Sequence, residues 1–357
     1  DECGEAVRAN SYFGCEYWTM VPDNSVDRLF KGGAASGQGT ADSDFVLVVT
    51  NQSAIPANVE VWRYVGSAPV RVKSVTVPGR TDPATKGLLK VPVPWQSITP
   101  ANADVGVSNS GRARYAYRLT STRPVTVYQF NPVDAVKVTA RSCSGTVDQS
   151  DCGCNEYGEY ASSGCGLLGL SCCSPGICKQ TPSGKRCSYG TYSNDASLLL
   201  PAHILGTSYV TVTPGHAHIS SPPDQFPLPS QFAIVAPQDN TVVTVKSSAV
   251  TSASVTGTAV AAMAIGETRQ FTLQSYEVLQ LASATSGTDL ECFQSGAWCR
   301  KGNDLTGSII TSDKPVAVFG GSACLQVPYD RAACDHVEEQ IFPFSTWGKS
   351  FVALPSH

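Results

Sequence analysis

Three groups of side chains in this chain could do chemistry: the histidines, a few clustered carboxylates and fourteen cysteines. His216-Ala217-His218 puts two imidazoles on one face if the segment is a strand, with His203 upstream. A catalytic zinc needs a third ligand and an open position. Nothing nearby supplies one, so these read as surface histidines. Asp335 directly precedes His336, and an Asp–His neighbour with a distant Ser invites a triad reading. No Gly-x-Ser-x-Gly elbow is present, and neighbours on a strand point to opposite faces. Packing and hydrogen bonding near a disulfide account for this pair better, and the chain reads as a non-enzyme. Asp23, Asp27, Asp42 and Asp44 flank loops without the spacing of a calcium loop, and read as solvated turn residues. No Gly-rich phosphate loop is evident. The expectation is no metal and no cofactor.

The cysteines say more. Eight of them, Cys143, Cys152, Cys154, Cys165, Cys172, Cys173, Cys178 and Cys187, crowd into one short segment. Six lie outside it: Cys3, Cys15, Cys292, Cys299, Cys324 and Cys334. The closest pairs, Cys152-Gly153-Cys154 and Cys172-Cys173, lack zinc-ligand spacing. An even count in a chain with no metal pattern reads as disulfides made in an oxidising compartment. Cys3 with Cys15, Cys292 with Cys299 and Cys324 with Cys334 each look like loop-closing pairs. The 143–187 segment has few apolar residues and must be held by crosslinks, in the manner of a knottin-like module. It could be a recognition knob or a decorated loop, and its connectivity is not readable from sequence.

These groups need a scaffold, and composition indicates its class. Charged residues are only 15% and the net charge is −4, with no basic run. Nucleic acid is therefore not an expected partner, because phosphate binding needs clustered Lys and Arg. Gly, Pro, Ser, Thr and Val are plentiful, which favours strands and turns. Short runs such as Phe45–Thr50, Val59–Tyr64, Val125–Phe130, Val242–Lys246 and Val316–Phe319 alternate or are β-branched, and turn residues bound them. No window of a dozen residues carries a helical period. No stretch is long and apolar enough to span a bilayer. The start, Asp1-Glu2-Cys3, reads as a mature form whose signal peptide has been removed.

The chain also repeats itself. Leu119-Thr120-Ser121-Thr122-Arg123-Pro124-Val125 matches Ile310-Thr311-Ser312-Asp313-Lys314-Pro315-Val316. Leu200-Pro201, Gly206 and Ser208-Tyr209-Val210 match Phe342-Pro343, Gly348 and Ser350-Phe351-Val352. Phe45–Val49 aligns with Phe232–Ala236, and Val59-Glu60-Val61 with Val243-Thr244-Val245. A boundary segment occurs three times, near 12–22, 204–214 and 346–356, and encloses two interiors. The cysteine-rich stretch accounts for nearly all the difference between the two repeat offsets, and Cys143 falls where Cys334 falls. The expected fold is all-β, with two tandem β-sandwich units at 1–142 and 188–357 and a small disulfide-rich (knottin-like) insert at 143–187. A β-propeller is the alternative, though it needs blade-length repeats. The last segment, Gly348–Leu354, either closes the second unit or offers an edge for self-association with another chain.

Three stretches of the second half carry a resemblance. They are Pro315–Cys324, Cys334-Asp335-His336-Val337-Glu338-Glu339-Gln340, and Pro343 with Trp347-Gly348-Lys349-Ser350-Phe351-Val352. Together they resemble the IgGFc-binding protein N-terminal domain, found in vertebrate mucus proteins and in bacterial secreted proteins. Gly14-Cys15-Glu16-Tyr17-Trp18 looks like the bacterial members. The resemblance implies an extracellular binding or structural domain and no catalysis, and it implies nothing about binding of antibody by this chain. The expected function is a secreted structural or adhesive protein, with a subunit of a surface filament or matrix as the finer form. The alternative is a module that binds glycans or glycoproteins. Trp62, Tyr64, Trp95, Tyr157 and Tyr160 are the candidate ligand-stacking residues, if exposed. Expected partners are protein or glycan ligands at a cell surface or matrix.

Overall fold

The structure is a computed structural model. It describes residues 1–24, 45–94, 96–98, 110–131, 136–142, 144, 177–181, 184–190, 195–215, 217–221, 224–254, 258–284, 291–293, 298–300, 303–325 and 335–350. A short helix opens the chain, α1 (Glu2–Arg8), which sequence periodicity missed because it is only seven residues long. Asp1 caps it by accepting from the Cys3 N–H at 3.1 Å. Cys3 is bonded to Cys15, as expected, and this ties the helix to the first strand.

The first half forms β1 (Gly14–Thr19), β2 (Phe45–Thr50), β3 (Ala57–Val65), β4 (Ala68–Val77), β5 (Leu88–Val93), β6 (Gly111–Ala113) and the long β7 (Tyr117–Asn131). β8 (Val136–Ser142), β9 (Ile177–Thr181) and β10 (Gly184–Gly190) make a separate three-stranded sheet at the base of the cysteine-rich segment. β11 (Asp195–Leu198) follows. The second half forms β12 (Gly206–Val210), β13 (Ala217–Ser221), β14 (Asp224–Leu228), β15 (Gln231–Ala236), β16 (Thr241–Lys246), β17 (Thr268–Leu273), β18 (Glu277–Ala282), β19 (Glu291–Phe293), β20 (Trp298–Arg300), β21 (Ile309–Leu325) and β22 (Asp335–Gln340).

Two large antiparallel sheets share one topology. The first runs β4-β3-β7-β2-β5, with β1 and β11 also on β7. The second runs β17-β16-β21-β15-β18, with β12 and β22 also on β21. The duplication read from sequence is therefore a duplication of strand order. The result is two sandwich-like halves and no propeller. Register sharpens the alignment. Gln129 faces Leu47, and its repeat counterpart Gly320 faces Phe232. Phe232 thus occupies the place of Leu47, two residues along from the sequence match to Phe45. A slip of two keeps every side chain on its face, so alternation alone cannot detect it.

The boundary strands reproduce one clamp at atomic detail. The Tyr17 hydroxyl accepts from the Gly14 N–H at 2.9 Å and donates to the Val125 carbonyl. The Tyr209 hydroxyl accepts from the Gly206 N–H at 2.8 Å and donates to the Val316 carbonyl at 2.5 Å. Both strands carry a register shift just after the glycine. A Cβ on Gly14 would collide with the Pro201 ring, and one on Gly206 with the Pro343 ring. Glycine is required here for close approach.

Two cores result. The first gathers Tyr17, Phe45, Leu47, Val59, Val61, Leu119, Val125 and Val127, together with Ala233, Val235, Val278 and Phe319 from the second half. The second gathers Tyr209, Phe232, Ile234, Val243, Leu279, Leu281 and Val318. β15 and β18 are buried at every residue, so these strands face both cores at once. That is why Gln231–Ala236 and Glu277–Ala282 read as near-continuous apolar runs. Each large side chain so buried is worth about 1.5–3 kcal/mol.

Two stability outcomes follow. Tyr17→Phe and Tyr209→Phe each strand a buried N–H and a carbonyl, and each should cost about 1–3 kcal/mol by urea unfolding. A cost in only one of them would contradict the equivalence of the clamps. Cys3→Ala with Cys15→Ala opens a loop of sequence separation 12 and should cost about 3 kcal/mol by the same measurement.

Candidate functional site

The Asp335–Gln340 motif forms β22, so His336, Glu338 and Gln340 share one face, and all three are buried. That face meets the end of β7. There the inward positions change from Val125 and Val127 to Gln129 and Asn131, both fully buried. Gln129 donates to Glu338 Oε1 at 3.0 Å, and Asn131 donates to Glu338 Oε2 at 3.4 Å. His336 Nε2 lies 3.2 Å from Glu338 Oε2 and 3.3 Å from the Asn131 amide. Thr19 donates to Gln129, and Asn131 also donates to the Pro22 carbonyl at 2.9 Å. This polar seam joins the two halves.

β11 completes it. The N–H of Glu338 donates to Asp195 Oδ2 at 2.8 Å, and that of Gln340 to Ser197 Oγ at 2.8 Å. The Leu200 N–H in turn donates to Gln340 Oε1 at 2.6 Å. Side chains of one sheet thus satisfy the edge of the other. Burial pushes the Glu338 carboxyl above its ordinary value, against the pull of His336 and Gln129. Glu339, on the opposite face, is pushed up to about 7 by burial of its carboxyl and by the negative Asp195 and Glu338. His336 is buried and hydrogen-bonded here, while Asp335 is seen only as backbone on β22. Among the described residues no group of three His, Cys, Asp or Glu could hold a metal.

A second constellation lies on the face of the first sheet opposite Val61 and Leu119, where Trp18 is buried at 3% exposure. Across four neighbouring strands, Arg71 on β4 faces Trp62 on β3, Trp62 faces Arg118 on β7, and Arg118 faces Trp18 on β1. Cations and aromatics thus alternate across the sheet. The Arg71 guanidinium sits 5.9 Å from the Trp62 ring centre, and Arg118 sits 5.9 Å from Trp18. Arg114 lies 4.2 Å over Tyr64. Glu60 pairs with Arg71 at 2.5 Å, and Glu16 takes Arg118 with two bonds of 3.0 and 3.1 Å. Tyr276 of the second half packs 4.7 Å from Trp18 and 6.0 Å from Tyr64. Its left-handed backbone, φ 65°, turns it toward the first sheet. Beside it, Arg112 on β6 binds Glu277 on β18 at 2.5 and 3.2 Å. Cation–π pairs of this kind are worth about 0.5–1 kcal/mol when exposed. They also fix ring orientation, for Trp18 in the buried part of this face and for Trp62 and Tyr64 in its half-buried part.

Of the five aromatic candidates, the structure brings Trp62 and Tyr64 together on this face, both half-buried against the first core. Trp95, Tyr157 and Tyr160 lie outside the described residues. Arg71, Arg114, Arg118, Glu16, Trp18 and Tyr276 were missed, because only cross-strand register shows that they are neighbours. His203 binds the Ser11 carbonyl at 2.8 Å. His216 lies outside the described residues, and His218 is seen only as backbone on β13. Asp23 is buried, at 2% exposure, contrary to its reading as a solvated turn residue. Asp27, Asp42 and Asp44 are outside the described residues. Cys178 is buried and disulfide-bonded, and it faces Cys187 in the β9–β10 register. Cys292 faces Cys299 in the β19–β20 register. Cys324 is seen only as backbone, and Cys143, Cys152, Cys154, Cys165, Cys172, Cys173 and Cys334 lie outside the described residues. Gly348–Ser350 form no strand, and 351–354 are also outside them.

Residues 195–357 match the protein-family model described as IgGFc binding protein. Human IgGFc-binding protein is 32% identical over 158 residues, a stretch covering 44% of this chain and 2% of that protein. The chain thus spans a very small part of that relative's length. The resemblance drawn from Pro315–Cys324, Cys334–Gln340 and Trp347–Gly348 holds over the second half. No solved structure matches.

The raised carboxyls have a sign. A carboxyl whose folded value exceeds its unfolded value holds its proton better when folded. Stability then falls as pH rises from about 4.5 to about 7. Urea midpoints should therefore decline between about pH 5 and 7.5, and Glu339→Gln should flatten the decline. A variant with the wild-type slope would remove Glu339 as its source.

Proposed function

We propose that this chain is an extracellular binding and adhesive module for protein or glycan ligands. Its disulfides at Cys3–Cys15 and Cys178 suit an oxidising, secreted setting. No described helix is long and apolar enough to cross a membrane. The human relative is named for binding the Fc of IgG. That name supports a binding role here without naming the ligand, and a place in a surface filament or matrix is the finer form of the reading.

The observation that carries the proposal is the Trp62–Tyr64 face. Two rings are held in fixed orientation by Arg71 and Arg114 and backed by Tyr276. Rings held this way lose little freedom on binding, and their flat apolar faces suit sugar rings or apolar peptide side chains. Guanidinium and carboxylate groups of Arg71, Glu60, Arg118 and Glu16 at the margin can fix a ligand's polar groups.

Trp62→Ala with Tyr64→Ala should abolish retention on immobilised mucin glycoprotein while the fold persists by circular dichroism. Unchanged retention would sink the assignment of this face.

A further inference from the structure

We propose that Arg114 reads the anionic group of an acidic sugar, a carboxylate or a sulfate, on the Trp62–Tyr64 face. The inference rests on the reading of that face as a binding site and names the class of ligand it takes.

Charge is balanced around the two rings except at one place. Arg71 has Glu60, Arg118 has Glu16 and Arg112 has Glu277. Arg114 directly follows β6, is half-buried and lies 4.2 Å over the Tyr64 ring. Among the described residues its guanidinium has no carboxylate partner and meets no hydrogen-bond acceptor. Arg63, next to Tyr64 in the chain, also lacks a carboxylate among the described residues, and its Nε is buried without a partner. Gln96 ties the two arginines together. Arg63 donates to Gln96 Oε1 at 3.2 Å, and Gln96 donates to the Arg114 carbonyl at 3.3 Å. Two guanidinium groups without a counter-charge thus belong to one hydrogen-bonded group beside Tyr64.

A half-buried cation attracts an anion more strongly than the same cation in bulk water, because less solvent screens the pair. A guanidinium that lies on an aromatic face contacts the ring with its plane and leaves its N–H edge free. That edge is a fork matched to two oxygens of a carboxylate or sulfate. The ring beneath is itself held, since the Tyr64 hydroxyl donates to the Ser67 carbonyl at 2.7 Å and Tyr276 packs 6.0 Å away. The neighbouring rings decide what carries the anion. An acidic pyranose presents an apolar ring face beside its charged group, so one sugar can meet an aromatic ring and Arg114 together. An Asp or Glu side chain offers the charge without that face.

Retention of the full chain on immobilised polymers bearing lactose, sialyllactose or sulfolactose tests this. Retention on at least one acidic polymer should be at least about tenfold stronger than on lactose, and added salt should shrink the difference. Which acidic polymer is favoured separates carboxylate from sulfate. Arg114→Gln should bring the acidic polymers down to the lactose level. Arg114→Lys, which keeps the charge and loses the fork, should fall between, and it serves where the Gln variant fails to fold by circular dichroism. Equal wild-type retention on all three polymers overturns the acidic class and leaves the face to its own test by Trp62→Ala with Tyr64→Ala. An acidic preference that survives Arg114→Gln overturns Arg114 as its reader. Equally strong capture by immobilised poly-glutamate overturns the sugar, and an acidic peptide takes its place. An acidic preference untouched by the double aromatic substitution removes the face and this inference with it.

Discussion

The structure depends on a few strands that have no outside. β15, β18 and the middle of β21 bury Phe232, Ile234, Leu279, Leu281 and Val318 on one face and Ala233, Val235, Val278 and Phe319 on the other. A sandwich with a solvated outer face can drift relative to its neighbour. A sheet that closes two cores cannot, because displacing it opens both. The small residues on the first-core side, Ala233 and Ala317, permit the close approach that lets one layer serve two interiors. The pairing of β6 with β18, and the Arg112–Glu277 ion pair beside it, follow from that closeness.

The polar seam is the complement of this apolar layer. Apolar contact alone sets distance and leaves register loose, whereas Gln129, Asn131, His336, Glu338 and Gln340 accept few relative positions. Burying Glu338 costs free energy, which its three donors offset only in part. Such groups trade stability for specificity of fit, which suits a chain whose two halves carry the same topology and could otherwise pair out of order.

Much of this was legible in the residues. The repeat, the all-β class and the Cys3–Cys15 pair were readable because they rest on local spacing and on identity at a distance. The seam was half legible. Gln129 and Asn131 continue the inward alternation of Val125 and Val127, and polar residues in a core register are a signal without being a partner list. The Arg71–Trp62–Arg118–Trp18 row was not legible, because four strands far apart in the chain must first be laid in register. Helix α1 was missed because its stability comes from the Asp1 cap and the disulfide, which leave no periodicity behind. The two-residue slip at Phe232 escaped because it preserves which face is buried.

β11 has a consequence for how the molecule can be divided. The stretch similar to a known family begins at Asp195, the first residue of β11. Yet β11 hydrogen-bonds to β7 of the first half, and its Asp195 and Ser197 serve β22 of the second. Pro201, just beyond it, is the lid over Gly14. Separated at that border, the first part loses an edge strand and the cover of its opening clamp, while the second keeps a strand with nothing to pair on. The stretch similar to that family is thus not a unit that folds apart from the rest, and on a ribosome the first half finishes folding only after the second has begun to emerge.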